Sequence, residues 1–177
     1  MKNNIIVCAL TLFGISSMSA QVIIGTGKTQ PTNASVSLEF GTEEKGIVLP
    51  WVTNAQVVKD AGAIDGTLIF DSNDKKVKLL ANNTWFDYST INDGVVDTSL
   101  QNLLTEKINA KASIGVPKTP AVQGVLVLED TNKGMILPQV ASYTHITSPT
   151  AGMMVFDTSK KLLCFFNGTK WSFWKGE

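Results

Sequence analysis

Short runs in which apolar and polar residues alternate occupy much of the chain and predict β-strands. In Val36–Phe40 the apolar side chains alternate with a serine and a glutamate, which predicts a strand with one buried face. The run at 125–128 is apolar throughout and predicts a more fully buried strand. Further strands are predicted at 67–71, 77–81, 84–89, 153–157, 161–166 and 170–175. Because only short turns separate consecutive strands, the pattern predicts antiparallel meanders.

Asparagine-rich dipeptides mark two of the predicted hairpin turns. Asn167 followed by Gly168 predicts a type I′ turn, in which both central residues take positive φ. Asn82 followed by Asn83 is a weaker form of the same signal. Both pairs lie between predicted strands, so each should close a hairpin.

Helical spacing appears in two places. Residues 54–61 predict a short helix with Thr53 as its N-cap, whereas the matching stretch at 142–148 is rich in Thr and Tyr, which disfavours a helix. Residues 97–111 predict an amphipathic helix, with Asp97 or Thr98 as N-cap. The apolar stripe of this segment consists of Leu100, Leu103, Leu104 and Ile108. It should bury against the same chain or against neighbouring copies, and its few heptads favour the same chain.

The chain contains two copies of one pattern. Lys-Gly-Ile-Val-Leu-Pro at 45–50 matches Lys-Gly-Met-Ile-Leu-Pro at 133–138, and the proline ends a short strand in each copy. A Gly-to-Phe-Asp block follows in both, at 66–71 and at 152–157. The predicted fold is therefore mainly β, with two tandem small antiparallel β-meander modules with short helices, joined by the amphipathic helical linker. The predicted boundaries are 21–89 for module 1, 90–111 for the linker and 112–177 for module 2.

The first residues predict export. Lys2 precedes an apolar stretch at 5–15 and a run of small residues that ends at Ala20, which is typical of a secretory signal peptide spanning 1–20. The apolar stretch is shorter than the roughly 20 residues that span a bilayer, so no transmembrane segment is expected after cleavage. The predicted location is secreted, extracellular or at the cell surface, with the periplasm as an open alternative. Of the two cysteines, only Cys164 remains after cleavage, and its apolar surroundings predict a buried side chain.

Charge and composition argue against several function classes. All 15 basic residues are lysines and 15 acidic residues balance them, so there is no basic excess or arginine for binding nucleic acid. His145 is the only histidine and its repeat counterpart is Val57, which disfavours catalysis. The Gly-Thr-Gly-Lys-Thr run at 25–29 lacks the spacing of a phosphate loop. No enzyme activity and no cofactor are predicted.

An oxygen-rich cluster after the third predicted strand could belong to a calcium loop or to an ordinary turn. It consists of Asp71, Asn73 and Asp74, and hard cations prefer several such ligands on one loop. The second copy has Lys160 in place of the second carboxylate, which favours the turn. No metal site is therefore predicted.

Aromatic residues crowd the last strand of each module and are the candidate binding residues. The proposed binding set is Trp85, Tyr88, Trp171 and Trp174. Such rings could stack on sugars or form a protein interface. Packing within the meander or at a subunit interface is the favoured alternative for these side chains.

The order of these motifs resembles modules of secreted and cell-surface proteins of the Bacteroidetes. The residues that carry the resemblance are Ile-Gly before a proline, Lys-Gly with apolar residues and Pro, and Phe-Asn-Gly-Thr-Lys-Trp at 166–171. Trp51 and Gln139 stand where that family commonly has arginine. The resemblance implies an adhesin-like or tail-fibre-like structural or adhesive module that acts through protein or surface contacts. It implies a homo-oligomer, with a trimer suspected, and a surface protein or glycan as partner. The alternative is a carbohydrate-binding accessory protein that uses the last-strand aromatics.

Overall fold

The computed structural model of the protein describes residues 21–99, 101–105, 107, 110–115 and 124–176. The signal peptide predicted for 1–20 lies outside these residues. The described part consists mainly of short strands, with one six-residue helix and one 3-10 turn. The prediction of a mainly β chain is confirmed.

The two halves of the chain contain the same elements in the same order. The first half contains β1 (Val22–Ile24), β2 (Val36–Phe40), β3 (Ile47–Val48), β4 (Trp51–Val52), α1 (Ala55–Asp60), β5 (Leu68–Asp71), β6 (Lys76–Ala81) and β7 (Thr84–Asp87). The second half contains β8 (Ala112–Ile114), β9 (Leu126–Leu128), β10 (Gly134–Met135), β11 (Gln139–Val140), the 3-10 turn Tyr143–His145, β12 (Met153–Asp157), β13 (Leu162–Phe166) and β14 (Trp171–Trp174). The 3-10 turn replaces α1, in agreement with the weaker helical signal there.

Each half ends in four neighbouring strands of one sheet, in the order β4-β5-β6-β7 in the first half and β11-β12-β13-β14 in the second. The order and directions of these strands are the same in both halves. The last three strands of each set are antiparallel, as the meander prediction requires. The leading strand of each set is parallel to its neighbour, which the sequence did not predict. It begins directly after the proline, whose carbonyl accepts a backbone hydrogen bond, from Phe70 to Pro50 at 2.9 Å and from Phe156 to Pro138 at 2.9 Å.

Strands of the two halves share two sheets. β2 lies between β1 and β10 of the second half, and both neighbours are parallel to it. β3 of the first half pairs antiparallel with β12 of the second half, with Val48 opposite Met153 and Ile47 opposite Met154. Separate tandem meanders are therefore not what the structure contains, because each half lends a short strand to the other. The module boundaries given above stay a prediction.

The main hydrophobic core is shared between the halves. Leu49, Phe70 and Val77 from the first half pack against Ala151, Met154 and Phe165 from the second. The indole Nε1 of Trp51 donates a hydrogen bond of 2.8 Å to the carbonyl of Ala151, which ties the halves together at the margin of this core. Burial of this apolar surface couples the folding of the two halves.

The predicted burial of β2 and β9 is reversed. β2 is buried along four of its five residues, including Glu39, because a strand lies on each side of it. Burial alone would raise the pKa of Glu39, but hydrogen bonds from the Lys28 ammonium and from Thr32 outweigh it and the pKa lies below its ordinary value. Among the described strands, β9 has only β8 beside it, and Leu126 is 42% exposed. The number of neighbouring strands, rather than the pattern, decides burial here.

The described residues of the predicted linker helix form isolated turns. The Asn102 N–H donates to the Thr98 carbonyl at 2.9 Å, but among the described residues of 97–111 no helix is assigned. Leu103 and Leu104 are 89% and 75% exposed, so these two side chains of the apolar stripe are not covered by other described residues. A helix of this length is marginal in water without such packing. Leu100 and Ile108 lie outside the described residues.

Two local predictions are wrong in detail. The N-cap of α1 is Asn54 rather than Thr53, because the Asn54 side chain accepts the Gln56 N–H at 2.7 Å. The type I′ turn occurs at Asn82 and Asn83, with φ of 50° and 56°, rather than at Asn167. The Asn167 carboxamide oxygen instead accepts the N–H groups of Thr169 and Lys170, which holds a longer loop.

Candidate interaction surface

The Asp71 cluster fits a turn rather than a cation site. The Asp71 carboxylate is buried and accepts the N–H groups of Ala55 at 2.8 Å and Asn73 at 3.0 Å. The Asp74 carboxylate instead pairs with Lys78 at 2.6 Å. Among the residues that the structure describes, no group of three or more His, Cys, Asp or Glu side chains is placed to hold a metal ion.

Asp157 has the corresponding role in the second half. Its carboxylate accepts the Tyr143 N–H at 3.1 Å and the Lys160 N–H at 2.8 Å, and Ser159 donates its hydroxyl at 2.9 Å. Burial alone would raise the pKa of Asp157, but these three hydrogen bonds outweigh it and the pKa lies below its ordinary value of 3.8. Each aspartate therefore fixes the start of the helical turn of its half to the sheet.

His145 and the glycine-rich run hold structural positions. The His145 side chain is 53% exposed, and its Nδ1 lies 3.3 Å from Glu44 of the first half, with no second carboxylate recorded in contact with it. The run at 25–29 follows β1, and Gly25 has a φ of 111°. Its neighbour Ile24 accepts the Gly41 N–H at 2.8 Å, and the second half repeats this contact after β8. The run is a conformational feature of the repeat.

The outer face of the β12–β14 sheet, which is the face directed away from the shared core, carries an aromatic patch. The ring of Trp171 lies 5.1 Å from that of Phe166 and 5.6 Å from that of Tyr143. Tyr143 also contacts Phe173 at 4.9 Å, and Phe173 is 45% exposed. This aromatic patch, formed by Phe166, Trp171, Tyr143 and Phe173, is the only cluster of more than two aromatic rings at this face among the described residues.

The other predicted binding residues lie elsewhere. Tyr88 and Trp174 contact each other with ring centroids 5.7 Å apart, on the side of the sheets that faces the shared core. Strand alternation places Trp85 on the opposite face of its own sheet, and its indole nitrogen is buried with no acceptor among the described residues. The four predicted residues therefore occupy three places, and their role in binding stays a prediction.

The same face of the first sheet carries ion pairs beside Trp85. Lys78 lies between Asp74 at 2.6 Å and Asp87 at 2.8 Å. Burial alone would lower the pKa of Lys78, but the hydrogen bonds that its ammonium donates to these carboxylates outweigh it and the pKa is raised. In the repeat, Lys78 corresponds to Cys164, which is buried, and Asp87 corresponds to Phe173. Burial raises the pKa of the Cys164 thiol to about 11.

Sequence reasoning missed the contribution of Tyr143 to the aromatic patch. Tyr143 lies in the 3-10 turn, well before the last strand, and reaches the patch because Asp157 fixes that turn to the sheet. The exchange of Lys78 and Asp87 for Cys164 and Phe173 is visible when the repeats are aligned. It replaces an ion pair on the outer face of the first sheet by apolar side chains on the outer face of the second.

Among the described residues, none of the helical segments is both long and apolar enough to cross a membrane. Comparison with curated proteins and with solved structures found no match. Residues 113–176, which include β9 to β14, match the family described as phage tail like trimerisation region. This match fits the tail-fibre-like module expected from the motifs, whereas an origin in the Bacteroidetes stays a prediction. The second half of the chain is thus similar to a structural region that forms trimers.

Proposed function

We propose that the protein is a non-catalytic structural protein that assembles as a homotrimer and acts outside the cell. The observation that carries this proposal is the similarity of residues 113–176 to the trimerisation family. Its role would be tail-fibre-like or adhesive, with rigid sheets that present loops and side chains to a surface partner. Three copies in one assembly would also raise the avidity of weak contacts.

Exposed apolar residues within the matched region support the assembly. In the second half, Val125 is 62% exposed, Leu126 is 42% exposed and Trp174 is 45% exposed. These side chains belong to the matched region, and contact with other copies would remove them from water. Export remains part of the proposal because it depends on the signal peptide predicted for 1–20.

Light scattering on the purified chain tests the oligomeric state. We expect a mass three times that of the chain. Leu126→Lys should shift the population towards monomer, because a charge would be placed in the contact, whereas Val57→Lys should not, because Val57 is 61% exposed on α1 outside the matched region. A monomeric parent chain at concentrations up to hundreds of micromolar would contradict the proposal.

The aromatic patch favours a second function, carbohydrate binding. Phe173 is 45% exposed, whereas Tyr143, Phe166 and Trp171 are half-buried against a second core cluster of Val140, Met153, Val155 and Cys164. The accessible parts of such rings can stack on sugar rings. A glycan array should then show binding that is lost in Trp171→Ala and in Phe173→Ala and kept in Phe86→Ala, since Phe86 is 49% exposed on β7 of the other sheet. Trp85→Ala tests the remaining predicted site in the same way. Absence of binding at millimolar glycan would exclude this function.

A further inference from the structure

A short strand follows each Lys-Gly turn, β3 in the first half and β10 in the second. These two strands pair with the other half through opposite edges. In the first half, Leu49 donates its N–H to Gly152 at 3.0 Å, and Ile47 lies opposite Met154. In the second half, Ile136 donates its N–H to the Leu38 carbonyl at 2.9 Å. Ile136 corresponds to Val48 in the repeat, which is the residue after Ile47. Because consecutive residues of a strand direct their N–H groups to opposite sides, β3 and β10 each leave one edge without a strand.

Two acceptor edges are left over in the same way. β2 has a strand on each side, but its counterpart β9 has a strand on one side only. The first residues of β12 pair with β3, but the corresponding residues of the first half, Thr67 and Leu68, have no strand on that side. Among the described residues, β3 and β10 each have one unpaired edge. β9 and residues 67–68 each lack the neighbouring strand that their counterparts β2 and β12 have.

Burial at equivalent positions agrees with these missing neighbours. Leu38 of β2 is 0% exposed, whereas its counterpart Leu126 of β9 is 42% exposed. A methyl group added to Gly152 would lie 2.9 Å from the indole nitrogen of Trp51, whereas one added to its counterpart Gly66 would meet nothing within 4 Å. The second-half β9 and the first-half β5 thus lack the cover that their counterparts have.

We propose that a second copy of the chain completes both edges by strand addition. The strand at 46–48 of one copy would pair with β9 of the next, and residues 135–137 of that next copy would pair with residues 66–68 of the first. This inference rests on the proposed function, since it names the contact through which the trimer forms. Both additions join the first half of one copy to the second half of another, so they form a single heterologous interface. Three repetitions of such an interface can close into a ring.

The unpaired edges of β3 and β10 point away from the other half of the same chain. The strands that pair with them therefore come from a second copy. Within one chain the halves meet through β3 with β12 and through β10 with β2. The unused edges of β3 and β10 lie on the opposite sides of those strands and point away from the contact between the halves. Val48, 44% exposed, also lines an open cavity of about 600 Å³, so this edge is accessible from outside.

A disulfide between copies tests the predicted register. Val48 lies opposite Met153 within the chain, so the corresponding pair between copies is Ile136 and Thr67. This is a non-hydrogen-bonded antiparallel pair, whose short separation between Cβ atoms suits a disulfide. Thr67→Cys and Ile136→Cys are made on separate chains in a Cys8→Ser background, one chain is tagged, and the two are refolded together and oxidised at pH 8. Cys164 is buried with a pKa raised to about 11, so it stays protonated.

We expect a covalent heterodimer of the tagged and untagged chains. Replacing Ile136→Cys by Met135→Cys should reduce its yield at least severalfold, because the thiol then lies on the other face of the strand. If light scattering shows a trimer but no heterodimer forms, or if both cysteines on one chain react only within that chain, this inference is overturned and the proposed function stands. If the parent chain is a monomer, both are overturned.

Discussion

At the scale of single residues, two buried aspartates connect local turns to the sheets. Asp71 and Asp157 end equivalent strands, and each accepts the first N–H group of a helical turn, from Ala55 and from Tyr143. A carboxylate can occupy such a buried place because several N–H groups replace the water that it loses. In the second half this contact also positions Tyr143 against Phe173.

Replacing Asp157→Asn should lower the free energy of unfolding by about 2 kcal/mol, since hydrogen bonds to a charged acceptor are lost or weakened. Urea denaturation measures this change. Asp93→Asn is the matched control, because Asp93 is half exposed and pairs only at the surface with Lys170, and it should change little. Equal effects of the two substitutions would contradict the role assigned to Asp157.

The same aspartate predicts a pH dependence. Because the pKa of Asp157 is lowered in the folded state, its stabilising contribution is present above the unfolded value near 3.8 and is lost as the pH falls through the lower folded value. The parent chain should lose stability below about pH 4, and the loss should be smaller in Asp157→Asn. Urea midpoints measured from pH 6 to pH 3 test this, and parallel curves for the two chains would refute it.

Gly152 tests the contact between the halves. It has a φ of 76°, and a Cβ would lie 2.9 Å from Trp51 Nε1 and 3.0 Å from the Phe70 ring. Gly62 also has a positive φ, 94°, but open space around it. Gly152→Ala should therefore cost about 1–3 kcal/mol more than Gly62→Ala in thermal or urea unfolding, because it adds steric overlap to backbone strain. Similar costs would show that the halves are not closely packed there.

At the scale of elements, local signals predicted the longer strands and not their partners. The bounds Met153–Asp157 agree with the prediction, because the apolar run and its flanking turns are local properties of the chain. β3 and β10 span two residues each, which is too short to show a hydrophobic periodicity. Their pairing with strands of the other half therefore depends on contacts that form only in the folded chain. The exposure of Leu126 follows for the same reason, since a strand pattern does not record how many neighbours the strand has.

For the candidate surface as well, the sequence predicted local features and not long-range contacts. The last-strand aromatics were visible in the sequence, and strand alternation correctly separated Trp85 from Tyr88. The sequence could not show that Tyr143 joins Trp171, because their contact depends on the buried hydrogen bond that holds the 3-10 turn. The predicted linker helix is not confirmed: no helix is assigned among the described residues of 97–111, where Leu103 and Leu104 are exposed and lack the packing that a helix of this length needs.

The hairpin between β6 and β7 offers a test of turn chemistry. Asn83 has a φ of 56°, which β-branched residues avoid. Asn83→Val should cost about 1–2 kcal/mol, whereas Asn83→Gly should be neutral or slightly stabilising. Thr84→Val is the control in the neighbouring extended strand and should have little effect. A tolerated valine at position 83, measured by thermal unfolding, would mean that the turn is not type I′ in solution.

At the scale of the whole molecule, the halves are copies in topology but differ at the surface. The first sheet carries the ion pairs around Lys78 on its outer face, whereas the second carries the aromatic patch. The region that matches the trimerisation family is the half with the aromatic patch and with β9, which pairs with one strand among the described residues. Duplication followed by divergence of the outer faces accounts for this arrangement.

The exchange of β3 and β10 between the halves has a mechanical consequence. A force applied to the two ends of the described chain cannot extend one half while the other stays intact, since each holds a strand of the other in its sheet. Stretching a single molecule with optical tweezers should therefore give one rupture that releases both halves together. Two separate ruptures with similar increases in extension would show that the halves unfold independently.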